Sequence, residues 1–340
     1  MNYLIGLLLL GCETKVTSSV EKDMYVEGTV EDTAVEEEVV EETEEQEEQE
    51  TGEIEEPVEE DTGETDTNQP ESLTDFSQKG PHYPYGITKE TRTVSVTDCP
   101  NMQYEVYTPY TDNPPLVILG HGFARGADVM VGWAEHLSSW GVEVLLPTLC
   151  HYNVFVGVDH EMNGQNMKEL ALLHGATDVV YAGHSAGGLA AIIAASQDPN
   201  ASGVLGLDAT DTQGIPGVPD AIGQNYAGNV ACPAFSIIGE PSTCNADNNG
   251  LDLFSMMDTY QAIKVVDADH CDFESPTDWI CESQCENAQT TFTDEEIRPV
   301  ITTLGTAAIM SLSGLSSAEE NIWINGLEEW NNSGITQEIE

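Results

Sequence analysis

Basic side chains are scarce in this chain. Nine Lys and Arg stand against 61 Asp and Glu, for a formal net charge of −52 over 340 residues. Nucleic acid and anionic membrane surfaces are bound by cations that neutralise phosphates, so both make poor partners here. A membrane-spanning run is also missing from the N-terminus. The apolar stretch Met1 to Gly11 is too short to cross a bilayer as a helix. No internal repeat is found, and no Cys-x-x-Cys pair with a nearby His pattern supports a zinc site. The cysteine pattern therefore implies no metal site.

The acid that is present is unevenly placed. From Glu21 to Asp66 the chain is mostly Glu, Thr and Val, with Lys22 its one base. Such a segment buries too little apolar surface to offset its ordering entropy, which predicts disorder. After Asp75 the composition turns to mixed apolar, Gly and aromatic residues. The expected organisation is a signal peptide over 1–11, a disordered acidic linker over 12–75 and a folded domain over 76–340. The Leu9-Leu10-Gly11-Cys12 stretch resembles the lipobox of bacterial lipoproteins, although no Lys or Arg precedes it. That resemblance implies a lipidated Cys12 and an exported, cell-envelope or secreted protein. A tether of about 60 residues would then reach at most roughly 200 Å from the membrane.

Within the folded region, strands and helices alternate. Leu116 to Leu119, Val142 to Leu146, Gly203 to Asp211 and Ala234 to Ile238 read as buried strands, and Tyr260 to Val266 as the last one. Thr91 to Val96 and Tyr104 to Tyr107 read as strands that open the fold. Ala127 to Trp140, Asp159 to His174 and the stretch from Thr293 to about Leu312 show helical spacing, and Ala318 to Trp330 a final amphipathic helix. Gly164 weakens the second of these, and Pro299 marks an irregularity in the third. Alternation of this kind predicts a doubly wound, mostly parallel sheet flanked by helices.

One stretch organises the rest: Val179-Val180-Tyr181-Ala182-Gly183-His184-Ser185-Ala186-Gly187-Gly188. A buried strand runs into Gly-x-Ser-x-Gly, and an Ala-rich helix follows. Strand, sharp turn and helix are the context of a nucleophile elbow, which lifts a strained serine above the strand ends. Gly183 and Gly187 allow neighbouring backbones to come close. Upstream, Gly120-His121-Gly122-Phe123 follows a central strand, where this architecture places one oxyanion donor. The backbone N–H groups of Phe123 and Ala186 are the expected pair.

The pieces His121-Gly122-Phe123, Gly183 to Gly188, Gly206-Leu207-Asp208-Ala209-Thr210-Asp211 and Asp269-His270 together resemble the α/β-hydrolase superfamily. The likeness is to chlorophyllase and dienelactone-hydrolase-like serine esterases, with cutinase and polyester-hydrolase-like enzymes as cousins. Ala186 stands where chlorophyllases carry Arg, which sets chlorophyll apart as a substrate. The resemblance implies a catalytic triad in the chain order Ser, acid, His, met by Ser185, Asp208 and His270. Glu240 and Asp247, after the next strand where hydrolases of this kind also place the acid, are alternatives, as is Asp211. The expected chemistry is hydrolysis of carboxylic esters through an acyl-enzyme, without a cofactor. A peptidase or acyltransferase on the same fold, or a catalytically silent surface binding module, are the competing readings.

Only about 25 residues separate the strands ending near Asp211 and starting at Ala234, too few for a large helical cap. An open, shallow cleft for bulky or polymeric esters is expected, in a protein that acts as a monomer. Besides Cys12 there are seven cysteines: Cys99, Cys150, Cys232, Cys244, Cys271, Cys281 and Cys285. An exported domain uses such residues as disulfides, and the odd count leaves one over. Cys271, Cys281 and Cys285 cluster after His270, where a bridge would pin the loop. A Cys232–Cys244 bridge is a further candidate.

Overall fold

The computed structural model of the protein describes residues 75–285, 289–315, 322–323 and 327–339. Cys12, the expected signal peptide and all of the acidic linker but its last residue lie outside the described residues. The strands are β1 (Ile87–Val96), β2 (Cys99–Pro109), β3 (Leu116–Gly120), β4 (Glu143–Pro147), β5 (Tyr152–Asn153), β6 (Gly157–Val158), β7 (Val179–His184), β8 (Ala201–Leu207), β9 (Ala234–Ile238), β10 (Tyr260–Val265) and β11 (Thr336–Glu338). The helices are α1 (Val131–Ser139), α2 (His160–His174), α3 (Ala186–Gln197), α4 (Gln224–Ala227), α5 (Gly250–Phe254), α6 (Trp279–Cys285), α7 (Asp294–Leu312) and α8 (Leu327–Ser333).

Nine strands form one sheet in the order β1-β2-β4-β3-β7-β8-β9-β10-β11. The run from β4 through β3, β7, β8 and β9 to β10 is parallel. β1 and β2 form an antiparallel hairpin, β2 pairs antiparallel with β4, and β11 pairs antiparallel with β10. This is the expected α/β architecture. Tyr260–Val265 is nevertheless not the last strand, because three residues near the C-terminus add β11 to the edge. Its Thr-Gln-Glu sequence has no apolar alternation to announce it.

The central strands β3, β7 and β9 are buried at every position because helices cover both faces. Val180 and Ala182 of β7 belong to one core with Trp133 and Leu137 of α1 and Ile301, Leu304 and Ala308 of α7. Val179 and Tyr181 point the other way, into a second core with Met167 and Leu170 of α2 and Leu189, Ile192 and Ile193 of α3. β1, by contrast, is mostly exposed and rich in Thr, as suits an edge.

Local signals set the helix ends. Asp159 caps α2 by accepting from the Met162 N–H at 2.9 Å, and Gly175 ends it at φ 86°. Gly164 is a packing requirement here, since a Cβ would lie 2.6 Å from Cβ of Ile193 on α3. Thr293 donates its N–H to Glu296 at 3.0 Å at the start of α7. That helix runs through Pro299 without a break. Of the final amphipathic stretch, Ile322 and Trp323 are buried, and Leu327 and Trp330 pack partly buried against the same core; residues 318–321 lie outside the described residues.

Between β8 and β9 the only helix is the four-residue α4, so no large cap is inserted there. The excursion that reaches the cleft comes instead after β10 and carries α6.

Candidate active site

The chain passes from β7 to α3 through Ser185, whose φ of 55° and ψ of −125° are a strained conformation for a residue with a side chain. The surroundings hold it there. The Ser185 N–H donates to Leu207 O at 3.1 Å, and its carbonyl accepts from Gly188 at 2.9 Å and Thr210 at 3.2 Å. The flanking glycines have no room for a side chain. A Cβ on Gly183 would lie 2.3 Å from the Gly187 carbonyl, and one on Gly187 would lie 2.4 Å from Gly120 O.

Gly120 leads directly into the loop of His121 and Phe123. His121 is fully buried and neutral, with burial lowering its pKa to about 4. Its Nε2 accepts from the Leu149 N–H at 3.0 Å, which leaves Nδ1–H to donate to Gly122 O at 3.0 Å. His121 thus shapes the loop and presents no proton to a substrate. Neither Phe123 N–H nor Ala186 N–H donates to a backbone carbonyl among the described residues. Both residues line the same cavity as Ser185.

His270 opens a short 3-10 turn, His270–Phe273, beyond β10. Asp269 caps that turn by accepting from Cys271 N–H at 2.7 Å. Trp133 Nε1–H donates to Phe273 O at 2.9 Å, which fastens the turn to α1. The ring Nδ1 of His270 lies 2.6 Å from Asp208 Oδ2. With Nδ1–H committed to that carboxylate, Nε2 is the nitrogen left for the cavity. Among the described residues the Ser185 hydroxyl makes no hydrogen bond to the ring; the two side chains share the cavity wall.

Asp208 is the acid that meets the histidine. It follows β8 at φ 45°, is buried, and accepts from Gly239 N–H at 3.1 Å. The alternatives go elsewhere. Glu240 pairs with Lys264 at 3.2 Å. Asp211 accepts from the N–H groups of Thr212 and Gly223, at 2.8 and 2.9 Å. Asp247 sits in a 3-10 turn, Ala246–Asn248, at φ 55°.

Several contributors leave little trace in the sequence. His184, inside the elbow motif, donates Nε2–H to the His270 carbonyl at 3.0 Å, and the two rings lie 4.4 Å apart. Burial, followed by the neighbouring His270, holds its pKa well below the ordinary value, so it remains neutral. Arg125 grips the fully buried Glu274 carboxylate with two bonds of 2.7 Å. That pair ties the Phe123 loop to the His270 loop. On the far side Arg298 holds Asp272 at 3.0 Å. Only three arginines occur in the whole chain, and two of them brace this loop. In so acidic a sequence, that scarcity was the available signal.

The cysteines pair as Cys99–Cys150, Cys244–Cys285 and Cys271–Cys281. The expected bridge next to His270 is present. Cys232–Cys244 is not: Cys232 is free and buried, and Cys244 reaches α6 instead. Cys271, Cys281 and Cys285 bring their sulfurs within 4.8 Å of one another, as ligands of a metal would, but each is already in a disulfide.

The cavity measures about 340 Å³, and α6 lines one side through Ile280, Cys281, Gln284 and Cys285. Ser185, 6% exposed, lies on the wall of this cavity. Arg125 is the single Lys or Arg on its wall among the described residues, and its guanidinium is taken by Glu274 and by Asp278 at 2.9 Å.

No family model matches the chain, and no curated protein matches it. Among solved structures, a membrane phospholipase A described as a novel bacterial virulence factor aligns with a TM-score of 0.43 and 12% identity. The alignment covers 53% of this chain and 79% of that one.

Proposed function

We propose that this protein is a serine hydrolase that cleaves carboxylic esters through an acyl-enzyme. The observation that carries the reading is the 2.6 Å bond between His270 and Asp208, on the wall of the cavity that holds a serine at a strained strand-to-helix turn. In this reading the Ser185 Oγ attacks the ester carbonyl while His270 Nε2 takes its proton. Asp208 stabilises the imidazolium. The N–H groups of Phe123 and Ala186 receive the oxyanion, each contributing on the order of 3 kcal/mol in the transition state. The imidazolium then protonates the departing alcohol, and water repeats the sequence on the acyl-enzyme.

The substrate side is an uncharged ester, because the cavity offers no uncommitted cation for a carboxylate or phosphate among the described residues. Three disulfides support an exported protein, since such bonds persist in oxidising compartments. A lipid anchor on Cys12 completes the reading, and the mass of the mature N-terminus tests it. An unmodified Cys12 removes the anchor.

Fluorophosphonate labelling tests the centre. The wild-type chain should label and Ser185→Ala should not; a wild-type chain that does not label refutes the proposal. A panel of p-nitrophenyl esters of graded chain length then reports how bulky a substrate the cleft admits. Amide substrates and competing alcohols in the same assay identify a peptidase or an acyltransferase by product.

A further inference from the structure

Asn245 lies deeper than any loop asparagine needs to. Its side chain is fully buried between the ends of β8 and β9. The amide nitrogen donates to Asp208 Oδ2 at 3.1 Å, with Oδ1 at 3.4 Å, and to the Glu240 carbonyl at 2.9 Å. The amide oxygen accepts from the N–H groups of Ser242 at 2.8 Å and Asn248 at 3.2 Å. These neighbours settle which end is which. A flipped amide would set its NH2 against two N–H donors and its oxygen against a carboxylate. The residue before it, Cys244, is bonded to Cys285 of α6. The residue after His270, Cys271, is bonded to Cys281 of the same helix.

We propose that Asn245 is a positioning residue that orients the Asp208 carboxylate toward His270, in a loop clamped by the Cys244–Cys285 disulfide. The inference rests on the hydrolase reading and deepens it. A carboxylate has about four acceptor sites. Gly239 N–H takes one on Oδ1 and His270 occupies Oδ2. The Asn245 NH2 spans both oxygens and so fixes the rotation of the group about its last bond. It also spreads the negative charge, which moderates how strongly Asp208 favours the imidazolium. The other charged or titratable groups near this couple are accounted for. His184 donates to the His270 carbonyl, Asp269 accepts from the Cys271 N–H, Glu274 is held by Arg125, Asp272 by Arg298, and Glu240 by Lys264.

Two variants separate positioning from mere loop structure. Asn245→Ala removes the donor and the acceptor together. Asn245→Asp is isosteric and retains the two accepted amide bonds, but turns an oxygen toward Asp208. The full oxidised chain is assayed for kcat and KM on a p-nitrophenyl ester. The low-field proton NMR signal of His270 Nδ1–H is followed through a pH titration of the same samples.

Positioning predicts that both variants lose about tenfold in kcat with KM within about twofold of wild type. It also predicts that the ring titrates at higher pH in both, by about one pH unit, because a carboxylate stripped of its donor stabilises the imidazolium more. A purely structural role, such as the bond to the Glu240 carbonyl that both variants lose, predicts that kcat falls while the His270 Nδ1–H signal and its titration stay as in wild type, and that result overturns the proposal. If Asn245→Ala does not fold, Asn245→Asp decides alone. The clamp is tested by the double variant Cys244→Ser with Cys285→Ser, expected to lose kcat by a smaller factor; unchanged kcat there removes the clamp. Fluorophosphonate labelling of wild type distinguishes the two failures. Absent labelling rejects the hydrolase reading, whereas the NMR titration tests the Asn245–Asp208 coupling regardless of activity.

Discussion

Replacing Arg125 by Met should strand a buried charge. The Glu274 side chain is 0% exposed and Arg125 only 11%, and the two share a pair of 2.7 Å bonds. Removing one partner of such a pair costs about 3–5 kcal/mol, because the remaining carboxylate has lost its water and its counter-ion together. The third bond, from Arg125 to the 37% exposed Asp278, adds little to this. Burial already raises the Glu274 pKa, and Arg125 is the main force opposing that rise. Without it the folded-state value climbs further above the unfolded one. A carboxyl with a raised folded value favours the native state while protonated and disfavours it as pH rises. The deficit of Arg125→Met relative to wild type should therefore be largest near pH 8 and shrink toward pH 5. Adding Glu274→Met should restore most of the loss, since an apolar pair of similar volume needs no compensation. Urea unfolding of the oxidised protein, followed by Trp fluorescence at several pH values, measures all three variants. A single variant that loses less than about 1 kcal/mol, or a double variant no more stable than the single, would refute the reasoning.

Three further outcomes follow from the same structure. His121, His136 and His160 are each lowered to about 4 by burial, so each contributes stability above about pH 6.5 that is lost as pH falls toward 4. Each is worth about 3 kcal/mol over that range. Asp272, raised to about 6 chiefly by burial, acts in the opposite direction and offsets one of the three. Urea unfolding in high salt should show net stability falling on acidification from pH 7 to 5; a flat profile contradicts the burial argument. Gly187→Ala should cost about 3 kcal/mol or more, a Tm drop on the order of 5–10 °C by calorimetry, because its Cβ meets the Gly120 carbonyl backbone at 2.4 Å. A change under about 2 °C would show that the elbow tolerates a methyl group. Finally, esters with an uncharged acyl chain should turn over at least about tenfold faster than hemisuccinate analogues of equal length, since Arg125 is already engaged. Equal rates would refute the reading that the cavity wall carries no uncommitted cation.

Much of the fold was legible because its signals are local. Ala234 to Ile238 is apolar at every position but Ser236 and becomes β9 with the same ends. Gly141 ends α1 at φ 95°, as a glycine after an amphipathic run should. The misreadings arose where two distant segments decide the outcome. Gly164 reads as a weakness in α2 from the sequence, yet Ile193 of α3 packs against it and leaves no room for a side chain. β11 exists because β10 has an open edge for it, not because Thr336 to Glu338 favours a strand. The cysteine partners were unreadable for the same reason: Cys244 and Cys285 lie 41 residues apart and meet only when α6 folds back.

The sequence by itself determined the strained elbow, the flanking glycines and the loop with His121 and Phe123. Each is a short-range requirement of backbone geometry and so leaves a short-range trace. The tertiary structure alone decided that Asp208 and not Glu240, Asp247 or Asp211 meets His270. It also set Asn245 behind that carboxylate, and placed Arg125 and Arg298 on either side of the histidine loop. Those choices depend on which strand ends lie side by side, and side-by-side placement is a property of the packed sheet.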